Sequence, residues 1–523
     1  MSAVNTSAMV RIALIVALGG FLMGFDASVI SGVTKFIEVE FQLTSLQLGW
    51  AVSSLTLTAA IAMLTAGPLS DRFGRRLMLK YAAVLYAISA IASALAPSFL
   101  VLVIARMIGG FGVGISLILA PMYIAEIAPS EMRGRLVSFN QLNIVIGITA
   151  AFFTNYLILQ LGQGEASWAT SLKFGEYNWR WMLGLETLPA VLYFLGLYFV
   201  PRSPRWLMMH QKEEEARTVF QLVVDEQRTN TLISEVRQNI EKDANKEKIN
   251  LRELFMPAMR LVITVGIVMA ILQQITGINS VFFYAPMIFE QSGIGTDASF
   301  IQAIMVGVTN LVFTIIAILL IDRLGRKPLL IFGTLGIAAM MFLLAYGFSQ
   351  ATYTLSEAGL ASIELPEDFD RELLDPLMDT TYDNDVAYKN ALADAIGEEE
   401  VKEVESTLIT AAIKMNPTLI LIGILGFVAA FAVSLGPVMW VLFSELFPMR
   451  IRGLAISFVG FINSAVSFLV QLVFPWELST LGSSLTFMIY GLFAVAGFFF
   501  VWSLVPETAG KSLEELEDSL VKT

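Results

Sequence analysis

The chain has 523 residues, of which 56% are hydrophobic and only 15% are charged, and its mean hydropathy is +0.71. This composition is typical of a membrane protein with many spans and excludes a soluble protein with a large core. The absence of cysteine and the presence of a single histidine, His210, exclude disulfides and zinc sites built from these residues.

The net charge of −12 comes from one segment. Residues 350–416 contain 16 acidic and 4 basic side chains, so the rest of the chain is neutral. The acidic balance therefore gives no indication of nucleic-acid binding. We expect this acidic insert not to complete a buried site, because its like charges repel one another.

Twelve apolar runs follow one another along the chain, each long enough to predict a membrane-spanning helix. They lie at 12–33, 46–69, 77–95, 99–122, 136–160, 182–200, 258–289, 300–321, 328–348, 417–443, 454–475 and 484–505. The first run lacks a clear cleavage site, so we interpret it as a span and not as a signal peptide. Twelve spans place both termini on one side. The short basic loops around Arg75 and Arg326 predict that this side is cytoplasmic.

The sequence contains an internal repeat. Asp71-Arg72-Phe73-Gly74-Arg75-Arg76 recurs 251 residues later as Asp322-Arg323-Leu324-Gly325-Arg326-Lys327. A second element recurs 319 residues later, and the added 68 residues nearly match the acidic insert. We predict an all-α protein with two pseudo-symmetric six-helix bundles. The predicted division is an N-terminal bundle at 1–200, a cytoplasmic helical linker at 201–256, a C-terminal bundle at 257–505 with an extracellular insert at 350–416, and a cytoplasmic tail at 506–523.

Charged side chains recur together within this repeat. Positive-inside topology explains the arginines but not the acids beside them. The set is Asp71, Arg75, Glu126 and Arg133 in the first half, and Asp322, Arg326, Glu445 and Arg452 in the second.

The run 258–289 contains three carboxamide side chains, Gln273, Gln274 and Asn279, with Gly277 between them. Unsatisfied polar groups in hydrocarbon are costly, so these amides should face protein, water or a ligand. Carboxamides both donate and accept hydrogen bonds, which suits a neutral ligand rich in hydroxyl groups. The alternative is that they bind neighbouring helices together.

Three ionisable residues, Asp26, Arg106 and Glu186, lie within predicted spans. Charged groups inside a membrane are costly and usually mark function. The alternative is a static Asp26–Arg106 pair that holds two helices together. The glycine cluster at 109–114 has no preceding strand, so we predict close helix packing there and no cofactor.

Several motifs in order resemble the sugar porter branch of the major facilitator superfamily, and within it the proton-coupled xylose symporters of bacteria. Besides the repeated element they are Pro201-Arg-Ser-Pro-Arg205, Gln273-Gln274-x-x-Gly277-x-Asn279, Gly436-Pro437-x-x-Trp440 and Pro506-Glu507-Thr508. The resemblance covers the whole chain except the insert. Four positions depart from the family pattern. Ser464 follows Asn463 where a tryptophan is usual, and Arg202 replaces a usual glutamate. Phe283 replaces a frequent tyrosine, and Ile148 replaces a glutamine of the xylose symporters.

The resemblance implies a set of functional residues. The sugar ligands would be Gln141, Gln273, Gln274, Asn279, Trp440 and Asn463. Proton coupling would involve Asp26, Arg106 and Glu186, and the repeated charges would close the cytoplasmic side as an ion-pair lock.

The resemblance also implies a function. We expect a non-enzymatic, monomeric protein of the inner membrane that takes up a monosaccharide, hexose or pentose, with protons. Its partners would be the sugar, protons and the lipid bilayer, with no cofactor and no metal. The alternatives are an uncoupled sugar or inositol-like polyol transporter, a drug exporter and a non-transporting sugar sensor.

Overall fold

The computed structural model describes residues 5–128, 130–164, 166–244, 251–366, 369–448, 450–511 and 515–516, with the backbone alone at 130–135, 137, 138, 242–244 and 251. Most of the described chain is helical. A membrane-spanning helix satisfies its own backbone amides and carbonyls, which have no water to bind in the hydrocarbon.

The described part of the chain before residue 245 contains twelve α-helices. They are α1 (Thr6–Val29), α2 (Thr34–Glu40), α3 (Ser45–Phe73), α4 (Arg75–Ala94), α5 (Phe99–Ile127), α6 (Ser130–Gln163), α7 (Ser167–Ser171), α8 (Asn178–Gly184), α9 (Thr187–Gly196), α10 (Pro204–Met209), α11 (Glu213–Gln221) and α12 (Glu226–Ala244). The last three lie in the predicted linker.

The remaining described residues contain twelve more α-helices and three short strands. The helices are α13 (Arg260–Ile275), α14 (Ile278–Phe283), α15 (Ala285–Glu290), α16 (Thr296–Leu324), α17 (Arg326–Ser349), α18 (Glu357–Ala361), α19 (Asp385–Ile396), α20 (Glu398–Ala412), α21 (Pro417–Val433), α22 (Leu435–Leu446), α23 (Arg452–Thr480) and α24 (Ser483–Leu504). The strands are β1 (Thr352–Thr354), β2 (Thr381–Tyr382) and β3 (Ile413–Lys414). Short 3-10 helices lie at Ile30–Gly32, Leu251–Phe255, Pro257–Met259 and Arg371–Leu377.

Eleven helical segments in the described residues are long and apolar enough to cross a membrane. They correspond to the predicted spans except the sixth, at 182–200. There α8 ends at Gly184 and α9 begins at Thr187, so the apolar run forms two short helices with Glu186 between them. Hydropathy alone did not reveal this break, because the residues on both sides of it are apolar.

Two compact units can be separated by the contacts within the chain. The first comprises Met1–Ala27, Ser54–Ala151 and Leu183–Glu253, and the second Ser28–Ser53, Phe152–Met182 and Leu254–Thr523. Residues 28–53 and 152–182, which the repeat assigns to the N-terminal bundle, therefore pack within the second unit. An ideal Cβ on Gly49, for example, would lie 2.0 Å from the backbone oxygen of Leu472. The predicted division by repeat remains a prediction.

Small residues allow close helix packing in the first unit, as the glycine cluster predicts. An ideal Cβ on Gly110 of α5 would lie 2.0 Å from Oγ1 of Thr58 and 2.2 Å from the carbonyl oxygen of Leu55. On Gly114 it would lie 2.4 Å from the carbonyl oxygen of Ala59. Helix α5 thus approaches the backbone of α3 closely, which a larger side chain at these positions would prevent.

The acidic insert forms a folded structure. Its strands pair in the antiparallel order β2–β1–β3. Beneath them lies an apolar core that includes Tyr353, Leu374, Tyr388, Leu392 and Leu408. The acidic side chains therefore surround a conventional hydrophobic core. The net charge of the segment does not reveal this core, because charge says nothing about where the apolar residues lie.

Polar contacts of Asp385 and Lys35 attach the insert to the rest of the second unit. Oδ2 of Asp385 accepts hydrogen bonds from both the backbone nitrogen and the hydroxyl of Ser483, each at 2.8 Å, and so caps α24. Nζ of Lys35 donates to Oε1 of Glu290 at 3.0 Å, to Oγ1 of Thr296 at 2.7 Å and to Oγ of Ser406 at 3.0 Å. Lys35 thus joins the insert to the segment that follows the first span.

Candidate functional site

The predicted amides of the second unit form one hydrogen-bonded cluster. Nε2 of Gln274 donates to Oε1 of Gln273 and to Oδ1 of Asn463, both at 3.2 Å. Nδ2 of Asn463 donates back to Oε1 of Gln273 at 2.8 Å. Nδ2 of Asn279 donates to Oε1 of Gln274 at 2.7 Å. The structure therefore brings together four of the six predicted ligands.

A break in the helix positions these amides. Helix α13 ends at Ile275, and Gly277, with φ of +89°, separates it from α14. An ideal Cβ on Gly277 would lie 2.4 Å from the ring of Tyr490, so only glycine fits here. Because the chain turns at this point, Asn279 can reach back to the side chain of Gln274.

Two further residues belong to this cluster and were missed from the sequence. Nδ2 of Asn279 also donates to Oγ of Ser467 at 2.6 Å, and Nε2 of Gln471 donates to the same hydroxyl at 2.8 Å. Both lie on α23, four and eight residues after Asn463. The four-residue spacing of Asn463, Ser467 and Gln471 places them on one helix face, and this spacing was the available signal.

Trp440 lies on α22, a helix whose first turn is bonded to the amide cluster. Nε2 of Gln273 donates to the carbonyl oxygen of Leu435, in the first turn of α22, at 2.9 Å. The Trp440 ring contacts Phe443 edge to face at 5.8 Å and is 43% exposed. This exposed aromatic surface is available for contact with an apolar ligand face.

Gln141 lies on α6 in the first unit, where its side chain is exposed. It follows Asn140, which is buried and whose Oδ1 has no hydrogen-bond partner among the described residues. An ideal Cβ on Gly20 of α1 would lie 2.8 Å from that Oδ1. Gln141 is therefore the exposed amide of a pair of adjacent amides, and it remains a predicted ligand.

The predicted charged residues of the first unit also come together. Asp26 is 0% exposed, and Arg106 and Glu186 are each 1% exposed. Nη1 of Arg106 pairs with Oδ1 of Asp26 and donates to the Asp26 carbonyl oxygen at 3.1 Å, while Nη2 donates to the same carbonyl at 3.2 Å. Glu186 lies in the break between α8 and α9, close enough for its charge to interact with those of Asp26 and Arg106.

This ion cluster is incompletely paired. Among the described residues, Oδ2 of Asp26, Nε of Arg106 and Oε1 of Glu186 have no hydrogen-bond partner. An ideal Cβ on Gly109 would lie 2.8 Å from Oδ2 of Asp26, so the missing side chain of this glycine leaves room for the carboxylate. A buried carboxylate with a free oxygen can accept a proton without first breaking its bond to Arg106.

The repeated charges pair within each half. Arg75 bonds Asp71 at 2.7 Å and Glu126 at 2.9 Å, and Arg326 bonds Asp322 at 3.0 Å and Glu445 at 2.7 Å. The two halves therefore repeat this motif in geometry as well as in sequence.

The remaining two members of the predicted charge network differ from these. Nε of Arg452 donates to the carbonyl oxygen of Phe447 at 3.0 Å. Arg133 lies outside the residues whose side chains the structure describes.

Three comparisons identify the kind of protein to which the chain is similar. A family model described as sugar (and other) transporter matches residues 12–363 and 404–520. The D-xylose-proton symporter of Escherichia coli (strain K12) is 35% identical, over 98% of this chain and 96% of that protein. The arabinose-proton symporter of Bacillus subtilis (strain 168) is also 35% identical, over 97% and 93%.

Solved structures agree with these matches. The inward-open conformation of the xylose transporter XylE from E. coli superposes with a TM-score of 0.72 and 34% identity, over 98% of this chain and 100% of that one. The family and the fold are thus supported over nearly the full length of the chain. The chain belongs to the sugar transporter family of the major facilitator superfamily.

Proposed function

We propose that the protein takes up a monosaccharide, a hexose or a pentose, together with a proton across the cytoplasmic membrane by alternating access, with both termini in the cytoplasm. The observation that supports coupling most directly is the buried Asp26–Arg106 pair with its free carboxylate oxygen. Two relatives named as proton symporters, one for xylose and one for arabinose, support the same assignment.

In this proposal the sugar binds at the amide cluster. Gln273, Gln274, Asn279 and Asn463 bond mainly to one another. Sugar hydroxyls both donate and accept, so they can replace these amide–amide bonds with bonds of similar strength. The exposed ring of Trp440 would cover the apolar face of the sugar, and Gln141 stays a predicted further ligand.

The proton binds at Asp26 in the same scheme. Protonation removes the charge that holds Arg106, and the guanidinium then needs another acceptor. Glu186 is a buried carboxylate whose charge acts on both Asp26 and Arg106, so it can serve as that acceptor. A proton and a sugar can drive the conformational cycle only if they bind the two states with different affinities. A change of partner by Arg106 would supply that difference for the proton.

The experiment is sugar counterflow into proteoliposomes containing the purified protein, with a panel of labelled hexoses, pentoses and inositol. An imposed pH gradient, acidic outside, is then added and removed with a proton ionophore. We expect one class of monosaccharide to exchange, and to accumulate above equilibrium only while the gradient lasts. Exchange that is indifferent to the gradient would identify an uncoupled transporter, and binding without exchange would identify a sensor.

A further inference from the structure

Each half of the chain contains a short segment of proline, a charged residue and a hydroxyl residue, but the charged residue is an arginine in one half and a glutamate in the other. Pro201-Arg202-Ser203 precedes α10, and Pro506-Glu507-Thr508 follows α24. The hydroxyl of Ser203 donates to Oε2 of Glu126, and the hydroxyl of Thr508 donates to Oε2 of Glu445 at 2.6 Å. Since Glu126 and Glu445 hold equivalent places in the repeat, Arg202 and Glu507 also occupy equivalent positions.

In the C-terminal half this position provides an anion to a helix. Oε1 of Glu507 accepts from the backbone nitrogen of Arg326 at 3.1 Å, and Oε2 accepts from that of Lys327 at 3.0 Å. The carboxylate lies against Gly325, whose ideal Cβ would be 2.7 Å from Oε2. The first amides of a helix lack partners within the helix and attract negative charge. Glu507 therefore accepts hydrogen bonds from the first two backbone amides of α17 and caps this helix.

Among the described residues of the N-terminal half, no carboxylate occupies the equivalent place. Gly74 precedes α4 with φ of +93°, as Gly325 precedes α17 with φ of +89°. Here a cavity of about 210 Å³ remains, lined by Gly74, Arg75, Arg76, Lys80, Arg202, Trp206 and neighbouring apolar residues. The position equivalent to Glu507 is occupied here by Arg202, so it contributes a further cation to the cavity and not a carboxylate.

Three cations around this cavity, Arg76, Lys80 and Arg202, contact carbonyl oxygens and aromatic rings. Arg76 donates to the carbonyl oxygens of Leu197 and Tyr198 at 3.0 and 3.1 Å. Nζ of Lys80 lies 3.3 Å from the centre of the Tyr198 ring. The guanidinium carbon of Arg202 lies 5.5 Å from the centre of the Trp206 ring. Within the part of the chain that the structure describes, none of these three cations pairs with a carboxylate; only Arg75 does.

The rim of the cavity is apolar and exposed. Phe73 and Leu77 line it and are 44% and 40% exposed, and Tyr198 and Phe199 beside it are 55% and 81% exposed. Helix α4 is one of the helices long and apolar enough to cross a membrane. A cationic cavity bordered by exposed apolar rings at the end of such a helix fits a phosphate that is attached to acyl chains.

We propose that this cavity binds the phosphate headgroup of an anionic phospholipid, in the place that the carboxylate of Glu507 occupies in the other half. Arg76, Lys80 and Arg202 would contact the phosphate oxygens, and the apolar rim would contact the upper acyl chains. The bound headgroup would also hold the Arg202–Trp206 segment, and with it Ser203, against Glu126. The ligand class is a phosphodiester lipid and not a soluble phosphate.

The test measures lipid binding to the full-length protein in detergent by native mass spectrometry. Phosphatidylglycerol is titrated against phosphatidylcholine, with excess inorganic phosphate as competitor. The key variant is Arg202→Glu, which installs the residue found at the equivalent position of the other half. Arg217→Glu on α11 is the matched control, because this arginine bonds Asn230 outside the cavity and undergoes the same change of charge.

We expect wild-type protein to bind phosphatidylglycerol in preference to phosphatidylcholine. Arg202→Glu should weaken that binding roughly tenfold or more, because it removes the attraction of one cation for the anionic lipid and adds the repulsion of a carboxylate. Arg202→Gln should give an intermediate loss, which keeps the test valid if the charge reversal impairs folding. Equal binding by wild type and both Arg202 variants would overturn the proposal. So would an equal loss in Arg217→Glu, or displacement of the lipid by inorganic phosphate.

Discussion

The predicted functional clusters in the two halves of the chain consist of different kinds of buried polar side chain. The N-terminal half buries ions, Asp26, Arg106 and Glu186, and the C-terminal half buries carboxamides such as Gln273 and Asn463. A neutral network can exchange one hydrogen-bond partner for another at little net cost. A buried ion can change partner only if another charge moves or a proton binds. The difference separates a region suited to a hydroxyl-rich ligand from a region suited to a proton.

The two clusters also differ in how completely they are satisfied. Oδ2 of Asp26, Nε of Arg106 and Oε1 of Glu186 lack partners among the described residues, whereas the side chains of Gln273, Gln274 and Asn463 each donate and accept hydrogen bonds. Unpaired buried polar groups are costly, so the ion cluster is the less stable of the two arrangements. It is therefore the one that we expect to rearrange during transport, and each cluster can be perturbed separately.

The largest effect is expected from Asp26→Asn. The amide keeps the size of the side chain but cannot take up or release a proton in the physiological range. Uphill accumulation driven by a pH gradient should be lost, while sugar binding and counterflow survive. Acidifying the outside should raise initial uptake by the wild type and leave the variant unresponsive. The measurement is labelled-sugar accumulation in proteoliposomes with and without the gradient.

Two variants make this prediction specific. Asp297→Asn changes an exposed aspartate that bonds Gln163 and should leave accumulation unchanged. Glu186→Gln should weaken coupling less than Asp26→Asn, because Glu186 does not share the direct bond to Arg106. Accumulation by Asp26→Asn at the wild-type level would place the proton site elsewhere and remove the charged half of the comparison.

Trp440→Ala should cause the largest loss of sugar affinity within the amide half. The ring is 43% exposed, and a bound sugar would cover that surface. Removing a buried aromatic contact at the centre of a site costs roughly 2–4 kcal/mol of binding free energy. Trp476→Ala is the matched control, because Trp476 is also 43% exposed but lies near the far end of α23. Calorimetry that found equal affinity for both variants would remove Trp440 from the site.

Gln274→Ala and Asn279→Ala should each weaken sugar binding by a smaller amount. Each truncation removes one donor to a buried partner, Oδ1 of Asn463 in the first case and Oγ of Ser467 in the second. The expected loss is about 1–3 kcal/mol of binding free energy. Gln302→Ala on α16 removes a half-buried amide outside the cluster and should not change affinity. Wild-type affinity in both cluster variants would mean that the amides only join helices.

The sequence predicted the composition of both clusters better than their geometry. Asp26, Arg106 and Glu186 stood out because ions are rare in apolar runs. Gln273, Gln274 and Asn279 stood out for the same reason among amides. Ser467 and Gln471 were missed, because single hydroxyl and amide groups on a helix become informative only when their spacing from Asn463 is considered.

The other omissions concern backbone and folding rather than residue type. The break at Glu186 lies within a continuous apolar run, so no hydropathy signal marked it. The insert was judged by its charge, although residues such as Tyr353 and Leu408 form a buried core. Charge and hydropathy averages describe a segment as a whole, whereas folding depends on which positions face inward. The order of apolar and polar residues along the insert would have been a better indication that it folds.

One carboxyl group outside the spans, that of Glu38, also titrates near neutral pH. A pH dependence measured in this protein therefore need not come from Asp26 alone. Glu38 on α2 lines a cavity of about 370 Å³ beside the insert, together with Glu290, Lys389, Lys402 and Glu405. The pKa of Glu38 is raised to about 7, chiefly by burial. The nearby carboxylates of Glu405 and Glu290 contribute to this rise, while Lys389 and Lys402 oppose it. Glu38 therefore titrates near neutral pH in the folded protein.

The smallest predicted effect follows from the sign of this shift. The pKa of Glu38 is raised from 4.5 to about 7, so the folded protein binds the proton more tightly than the unfolded chain. The resulting stability is fully present below pH 4.5 and is lost as pH rises through about 7. The apparent Tm of wild-type protein should thus fall by roughly 1–2 °C more than that of Glu38→Gln between pH 6 and pH 8. Glu357→Gln, which changes an exposed carboxyl of the insert, should behave as wild type. If Glu38→Gln keeps the full pH dependence of Tm but loses the acid stimulation of uptake, Glu38 acts in transport itself, and the division between a proton-binding and a sugar-binding half must include the insert.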